Sequence, residues 1–231
     1  MLMSDKKLNK EIEAAHLSIK KDVRFTPLQY SPSLSNQSDA EVAARNYAEK
    51  NQLPYLSPYN DEDVIAGQGT IGLEILKEQD QMDAVFIAVG GGGLIAGVGS
   101  YIKEFCRECE IIACSPENSA AMHHALQMGK IEQIQHQETL SDGTAGALEE
   151  GSITFDYCQS VVDRSILVSE SEIQNSMKAF IDQHQMLIEG AAGVALAAFD
   201  SVKEEYKGKK VTILLCGGNI ANKTLLKVLQ S

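Results

Sequence analysis

The sequence predicts an α/β fold, in which an open, mostly parallel sheet carries helices on both faces. Strand-like and helix-like hydrophobic periods alternate along the chain, an order that is typical of parallel sheets. Residues 84–89 (AVFIAV) form a continuous apolar run, as expected of a strand buried on both faces. Two predicted strands end in glycine clusters, at residues 90–93 and 217–218. Ligands of parallel sheets bind beyond the carboxyl ends of strands, so these clusters are the first candidates for a site.

The N-terminal part of the chain is predicted to be helical, with one irregular stretch. Ser4 can cap a helix that runs to about residue 23 and buries one apolar face. Residues 25–38 contain two prolines and many serines, which indicates an extended or looped segment. A short helix over residues 39–50 and a strand over residues 53–56 follow. Asn60 is then expected to cap the next helix.

The remainder of the chain is predicted to alternate strands with helices. Beyond the first apolar run, strands are predicted at residues 110–114, 165–168 and 211–216. Helices are predicted at residues 94–105, through Met122 and Leu126, after the capping-box pair Ser169 and Glu172, and after Asn219.

The composition argues against several partners and locations. The chain has 32 acidic and 20 basic residues, a formal net charge of −12 and no basic stripe, so nucleic acid is not expected as a partner. No run of about 18 apolar residues occurs, so neither a transmembrane helix nor a membrane partner is expected. The charged N-terminus lacks the apolar core of a signal peptide. Five cysteines at irregular spacing favour a reducing cytoplasm as the location.

The four glycines at residues 90–93 are the strongest candidate for an anion site. Without side chains, successive backbone N–H groups can turn toward one point, and the following helix adds its positive N-terminal dipole. A phosphate is the natural ligand, and the alternative is a tightly packed turn without one. Gly91, Gly93 and Ala96 also fit the loose dinucleotide pattern G-x-G-x-x-G/A, with Glu117 after the next strand, but that pattern alone is weak.

Six segments occur in an order that points to one family. They are Thr26-Pro27-Leu28, residues 64–70 (VIAGQGT), residues 89–94 (VGGGGL), Ser141-Asp142-Gly143, residues 188–193 (IEGAAG) and residues 216–219 (CGGN). The sequence resembles the serine/threonine dehydratase and serine racemase family of pyridoxal-phosphate (PLP) enzymes, which have fold type II, the tryptophan synthase β-like fold. This resemblance implies that the predicted sheet is the large domain of that fold, with the small domain largely absent.

The resemblance also implies a cofactor, pyridoxal 5′-phosphate, and the residues that hold it. These residues are Gly90, Gly91, Gly92, Gly93, Leu94, Glu189, Cys216 and Gly217. The glycine run would form the cup for the phosphate, and Glu189 would lie close to the cofactor ring. Cys216 stands where the family places Ser, Thr or Cys beside the pyridine nitrogen. A neutral partner there would leave that nitrogen unprotonated and tune the ring as an electron sink.

One part of the family pattern has no counterpart in this sequence. The family carries its Schiff-base lysine in a Ser-Phe-Lys-x-Arg-Gly type motif and holds the substrate carboxylate in a Ser-Gly-Asn-His-Gly type loop, and neither motif occurs here. Family-like sequence reaches Val42 and resumes at Ala43 at a much later family position, which indicates an internal deletion of about a hundred residues. We therefore divide the chain into residues 1–42, an N-terminal helix and extended segment, and residues 43–231, the large α/β domain. No catalytic residue is assigned.

The activity that the resemblance implies is β-elimination on a small hydroxy amino acid. The family contains threonine and serine dehydratases (ammonia-lyases) and racemases, in which the lysine acts as the base that removes the α proton. Without the lysine motif, this shortened chain is expected to be impaired or inactive. Two other interpretations stay open: a non-catalytic phosphate- or PLP-binding or interaction protein, and an incomplete product with no function of its own. Loss of the small domain would expose apolar surface, so a homo-oligomer is expected.

Carboxylates elsewhere in the sequence suggest no second site. Some family members hold a divalent cation, but Ser115 and Ala121 stand here where carboxylates are used, so no metal site is predicted. Asp142, Glu149 and Glu150 cluster in a glycine-containing stretch, and we expect a structural or gating role for them.

Overall fold

Four parallel strands form a sheet in the order β3-β2-β1-β4. The structure is a computed structural model that describes residues 8–14, 37–79 and 81–230, with the backbone alone for residues 37–42. The strands are β1 (Ala84–Ala88), β2 (Glu110–Pro116), β3 (Arg164–Val168) and β4 (Val211–Ile213). Each neighbouring pair is parallel, and β1 lies between β2 and β4. The predicted parallel sheet is therefore confirmed.

Helices surround this sheet in the described part of the chain. Those before the first strand are α1 (8–14), α2 (Gln37–Asn51) and α3 (Glu62–Glu78). Those after it are α4 (Gly93–Phe105), α5 (Ala121–Met128), α6 (Ile153–Val161), α7 (Glu170–His184), α8 (Gly190–Val202) and α9 (Asn222–Leu229). Short 3-10 turns lie at Asp142–Thr144 and Lys203–Tyr206. No helix in the described residues combines the length and apolar character that a membrane span requires.

Side chains of β1 alternate between two hydrophobic cores, one on each face of the sheet. Val85 and Ile87 belong to a core that also contains residues of α1, α3, α4 and α6. Phe86 belongs to the opposite core, which contains residues of α7 and α8. Its ring makes edge-to-face contacts with Phe199 and Tyr206, at centroid distances of 5.5 and 5.3 Å. The prediction of helices on both faces is therefore confirmed.

Glycines allow helices α3 and α4 to approach each other backbone to backbone. A Cβ at Gly97 would lie 2.2 Å from the carbonyl oxygen of Ile65. On α3, the side chain of Ile12 from α1 fills the space beside Gly69. A Cβ at Gly69 would lie 2.2 Å from the Cδ1 atom of Ile12. Glycine lowers the intrinsic helix propensity of α3, and the close packing around these positions offsets that cost.

The strand predicted over residues 53–56 is wrong. Residues 53–57 have no regular structure, and the side chains of Leu53 and Leu56 are 52% and 66% exposed. Pro54 lies between them and offers no N–H to a sheet ladder. The apolar residues that suggested a strand therefore face solvent.

The predicted cap of α3 is also wrong, by one residue. Asp61 is the N-cap, and its carboxylate accepts hydrogen bonds from the amides of Asp63 and Val64. A carboxylate in this position also interacts favourably with the positive end of the helix. The side chain of Asn60 is engaged elsewhere, in contacts that reach residues 149–153.

Strand β4 is shorter and less buried than the predicted strand over residues 211–216. Its three residues are all partly exposed, and it pairs with β1 along one edge. As the end strand of the described sheet, it has no second neighbour there to cover it.

The N-terminal predictions are tested only in part. The helix predicted from Ser4 is observed over residues 8–14, and the rest of that span lies outside the described residues. Helix α2 begins at Gln37, two residues before its predicted start, so the predicted irregular stretch over residues 25–38 ends earlier than expected. The proposed junction between Val42 and Ala43 lies inside α2, which is continuous across it. The division of the chain at this junction stays a prediction.

Candidate functional site

The candidate site lies at the carboxyl end of β1, where the glycine loop (Gly90, Gly91, Gly92 and Gly93) leads into α4. Gly92 is the N-cap of α4 and has φ of +88°, in the left-handed region that favours glycine. No side chain caps this N-terminus. The first amides of the helix therefore combine their N–H groups with the positive helix dipole, an arrangement that suits an anion.

The glycine loop is closely packed against other backbone segments. A Cβ at Gly90 would lie 2.9 Å from the carbonyl oxygen of Thr144. A Cβ at Gly91 would lie 2.4 Å from the ring of Tyr59, and one at Gly93 would lie 3.0 Å from the Tyr59 backbone. The loop glycines have no Cβ atoms, and this permits both the close packing and the approach of an anion to the backbone N–H groups.

Two side chains of α6 hold the carbonyl groups of the glycine loop. The hydroxyl of Thr154 donates a hydrogen bond to the carbonyl oxygen of Gly91 at 2.6 Å. The thiol of Cys158 donates to the carbonyl oxygen of Gly92 at 3.7 Å. Both side chains are fully buried, and burial raises the pKa of the Cys158 thiol to about 12, so the thiol keeps its proton.

Helix α6 is anchored to the segment that precedes α3. The side-chain oxygen of Asn60 accepts from the amide of Ile153 at 2.9 Å, and its nitrogen donates to Glu149 at 2.6 Å. Glu149 also pairs with Arg45 of α2, whose guanidinium lies 4.6 Å from the centroid of the Tyr55 ring. Glu149 therefore joins α2 to the segment that precedes α3, and the structural or gating role expected of it stays a prediction.

A second corner of the site is formed around Glu189, the residue that precedes α8. Its carboxylate accepts a hydrogen bond from the amide of Asn219 at 3.0 Å, and its own amide donates to the carbonyl of Gly217 at 3.3 Å. Gly217 has φ of +112°, and a Cβ there would lie 2.1 Å from the Glu189 carboxyl group. Burial, with the nearby charge of Asp142, raises the pKa of Glu189.

The turn over residues 141–144 connects the two corners. Thr144 contacts Gly90 through its backbone, while a Cβ at Gly143 would lie 3.4 Å from the Glu189 carboxylate. Cys216 is exposed as a residue, yet desolvation of its thiol and the charge of Glu189 raise its pKa, which keeps the thiol neutral. The structure therefore brings the predicted glycines into one region with Glu189 and the 216–217 turn.

Several residues of this region were not singled out from the sequence. They are Tyr59, Thr154 and Cys158, and Asn60 was expected only as a helix cap. Each contacts a segment far away in the chain, so no local pattern marks it. Thr154 and Cys158 do stand four residues apart on a helix, a spacing that places them on one face, but nothing in the sequence relates that face to the glycine loop.

Among the described residues, the side-chain atoms closest to a Cβ built on Gly91, Gly92 or Gly93 belong to Tyr59, Met122, Thr154 and Cys158. Lys103, at the opposite end of α4, pairs with Asp163 at 2.7 Å. In the same described part of the chain, no group of three or more His, Cys, Asp or Glu side chains could hold a metal ion.

Comparison with known proteins identifies the lineage. Residues 19–217 match the family described as "Pyridoxal-phosphate dependent enzyme", a match over most of the chain. The chain belongs to the pyridoxal-phosphate-dependent enzyme family. The resemblance inferred from the six sequence segments is therefore confirmed.

Curated members of this family include close relatives of the chain. It is 40% identical over 182 residues to the L-threonine ammonia-lyase of Thermotoga maritima, covering 79% of this chain and 45% of that protein. It is 37% identical over 187 residues to the catabolic L-threonine dehydratase of Escherichia coli K12, covering 80% of this chain and 56% of that protein. The chain thus spans about half the length of these relatives.

Solved structures of the family share the fold. The processed threonine deaminase isoform 2 of Solanum lycopersicum superimposes with a TM-score of 0.77 at 35% identity, over 82% of this chain and 55% of that one. The serine racemase of Dictyostelium discoideum gives a TM-score of 0.70 at 30% identity, over 80% of this chain and 59% of that one. The fold described above is therefore the PLP fold type II sheet.

The residues of this chain fit the phosphate of the family's cofactor. The uncapped N-terminus of α4 offers N–H donors, and the four glycines leave no Cβ to obstruct their approach. The lysine motif through which the family attaches the cofactor does not occur in the sequence.

Proposed function

We propose that this chain binds pyridoxal 5′-phosphate, with the phosphate held by the backbone N–H groups of Gly90, Gly91, Gly92, Gly93 and Leu94. The observation that carries the proposal is the glycine loop at the uncapped N-terminus of α4, in a chain of this family. When bound, PLP supplies the electron sink for chemistry at the α carbon of an amino acid.

In this proposal, the second corner of the site borders the cofactor ring. Glu189, Cys216 and Gly217 form that border, and the Asn219 amide holds the Glu189 carboxylate in place. Because the pKa of Cys216 is raised, its thiol would offer the ring a neutral partner at physiological pH. A neutral neighbour would not stabilise a proton on the pyridine nitrogen.

The reaction that this lineage favours is β-elimination from threonine or serine, which yields a 2-oxo acid and ammonia. The curated relatives carry the names L-threonine ammonia-lyase and L-threonine dehydratase. We propose the same substrate class here. We also propose that the 231-residue chain is impaired or inactive by itself, because it spans about half the length of those relatives and lacks the lysine motif.

A second candidate is a non-catalytic PLP- or phosphate-binding or interaction protein derived from the family. The observation that favours it is that the Schiff-base lysine motif of the family does not occur in the sequence. Such a protein would bind the phosphate group in the same cup, without a covalent bond to the cofactor.

Association and location belong to the same proposal. We propose a homo-oligomer, because Met186 and Leu187, just before the Glu189 corner, are 59% and 54% exposed. We propose a cytoplasmic location, because all five cysteines are free thiols, as expected in a reducing compartment.

The decisive experiment is to add PLP, reduce with borohydride, and map any modified lysine by mass spectrometry while assaying 2-oxobutyrate and pyruvate. One modified lysine together with 2-oxo acid production would support the lyase. Phosphate-dependent PLP binding without a modified lysine would support the non-catalytic binder. No phosphate-dependent binding would contradict both proposals.

A matched glycine pair tests whether the binding uses the glycine loop. Gly91→Ala would place a methyl group against the Tyr59 ring and should reduce PLP affinity at least about tenfold. Gly67→Ala adds a methyl group where no atom lies within 4 Å, so it should leave the affinity unchanged.

A further inference from the structure

The two central carbonyl groups of the glycine loop are held in different ways. The Gly92 carbonyl accepts from the amide of Ala96, as the first helical hydrogen bond of α4, and the Cys158 thiol adds a weaker contact. The Gly91 carbonyl precedes the helix. Its hydrogen bond comes from the Thr154 hydroxyl, at 2.6 Å.

The hydroxyl proton of Thr154 is committed to this bond. The Ser152 and Thr154 hydroxyl oxygens lie 2.8 Å apart, and both side chains are buried. A carbonyl oxygen can only accept, so Thr154 must donate to Gly91, and Ser152 must then donate to Thr154. This chain of two bonds strengthens the Thr154–Gly91 contact, because both hydroxyl groups are buried.

A fixed carbonyl also fixes an amide. In a planar trans peptide, the C=O of one residue and the N–H of the next point in opposite directions. The bond from Thr154 turns the Gly91 carbonyl toward α6. The Gly92 N–H is therefore turned away from α6. Glycine peptides rotate more easily than others, so this direction is not secured by the chain itself.

We propose that Thr154 is a positioning residue for phosphate recognition: through the Gly91 carbonyl, its hydroxyl aims the Gly92 N–H at the bound phosphate. This proposal rests on the proposed function of the glycine loop. Thr154 does not touch the ligand. Its contribution is to hold one donor in the binding direction before the ligand arrives, so that binding does not have to order that peptide group.

The test uses pyridoxine 5′-phosphate, which has the cofactor's ring and phosphate but no aldehyde that could react with surface lysines. Its affinity is measured by calorimetry and compared with that of pyridoxine, which lacks the phosphate. Thr154→Val removes the hydroxyl at nearly constant volume and should weaken pyridoxine 5′-phosphate binding about tenfold. Thr154→Ser, which restores the donor, should bind within about twofold of the original chain.

Two further variants separate positioning from general loosening of the structure. Thr70→Val removes a buried hydroxyl that donates to the Gly67 carbonyl within α3, and it should leave ligand affinity unchanged. Cys158→Ala should cost no more than about twofold, because Ala96 still holds the Gly92 carbonyl. If Thr154→Val does not fold, Thr154→Ala provides the same removal of the donor.

An amide signal gives a readout that a purely structural role would not change. In a ¹H–¹⁵N spectrum of the original chain, the Gly92 amide should shift on addition of inorganic phosphate. In folded Thr154→Val, that shift should be lost at the same phosphate concentration. Equal affinity and an equal Gly92 shift in the folded variant would overturn the inference alone. Absence of phosphate-dependent binding in the original chain would overturn the proposed function, and the inference with it.

Discussion

The carboxylate of Glu189 accepts a hydrogen bond from the backbone amide of Asn219, at 3.0 Å. This bond joins the start of α8 to the turn that follows β4, and it passes over Gly217, which has no side chain in the way. Burial nevertheless makes the charged form of Glu189 unfavourable, and its pKa is raised. The carboxylate is therefore held in place at a cost to stability.

Glu189→Gln should remove the cost of burying a charged carboxylate, while its side-chain oxygen can still accept the hydrogen bond from the Asn219 amide. Because the pKa of Glu189 is raised in the folded chain, its contribution to stability decreases as pH rises through that pKa. The variant should therefore be at least as stable as the original chain at pH 7, and this advantage should shrink toward pH 5. Urea unfolding at both pH values measures it. A larger advantage at pH 5 than at pH 7 would contradict the prediction.

Gly97→Ala should be strongly destabilising, because its methyl group would lie 2.2 Å from a backbone oxygen of α3. Neither helix backbone can yield easily, so we expect a loss of about 3 kcal/mol in the free energy of unfolding. Gly67→Ala is the matched control in α3, since its methyl group would meet open space. That change should stabilise the chain by about 0.5–1 kcal/mol, and equal effects at both positions would refute the packing argument.

Ser169→Ala should destabilise the chain by about 1 kcal/mol, because it removes the N-cap of α7. The Ser169 hydroxyl accepts from the Glu172 amide, and the Glu172 carboxylate accepts from the Ser169 amide, as the sequence predicted. The Ser169 hydroxyl also donates to the Glu172 carboxylate at 2.6 Å. That bond and the one from the Ser169 amide lower the pKa of Glu172, so their contribution should be lost as pH falls through that pKa. The free energy of unfolding is measured by chemical denaturation. Ser160→Ala, at an exposed position of α6, is the control.

The chain should associate in solution through apolar residues near the Glu189 corner. Met186, Leu187 and Leu215 are 59%, 54% and 37% exposed. Light scattering should therefore detect a dimer or a larger species, and the double change Met186→Ser with Leu187→Ser should shift the distribution toward monomer. Leu226→Ser, on the exposed face of α9, is the control at another apolar position. A monodisperse monomer before any substitution would contradict the expectation.

Local patterns in the sequence were sufficient for the sheet and for the glycine loop. The apolar run over residues 84–89 predicted the buried central strand, and the following glycines predicted the turn into α4. Local patterns failed at residues 53–56. The apolar residues there predicted a strand, but they are exposed to solvent and Pro54 offers no N–H to a sheet. They also failed at Asn60, because a side chain that can cap a helix can equally bind a distant segment.

The sequence by itself determined the fold class, the family and the position of the glycine loop, because periodicity and glycine placement are properties of neighbouring residues. Only the tertiary structure decided which side chains contact that loop and the Glu189 corner. Thr154 meets the Gly91 carbonyl across 63 positions of the chain, and Glu189 meets Asn219 across 30. Such contacts depend on how α6 packs against α4 and how α8 packs onto the sheet, and no local spacing in the sequence encodes them.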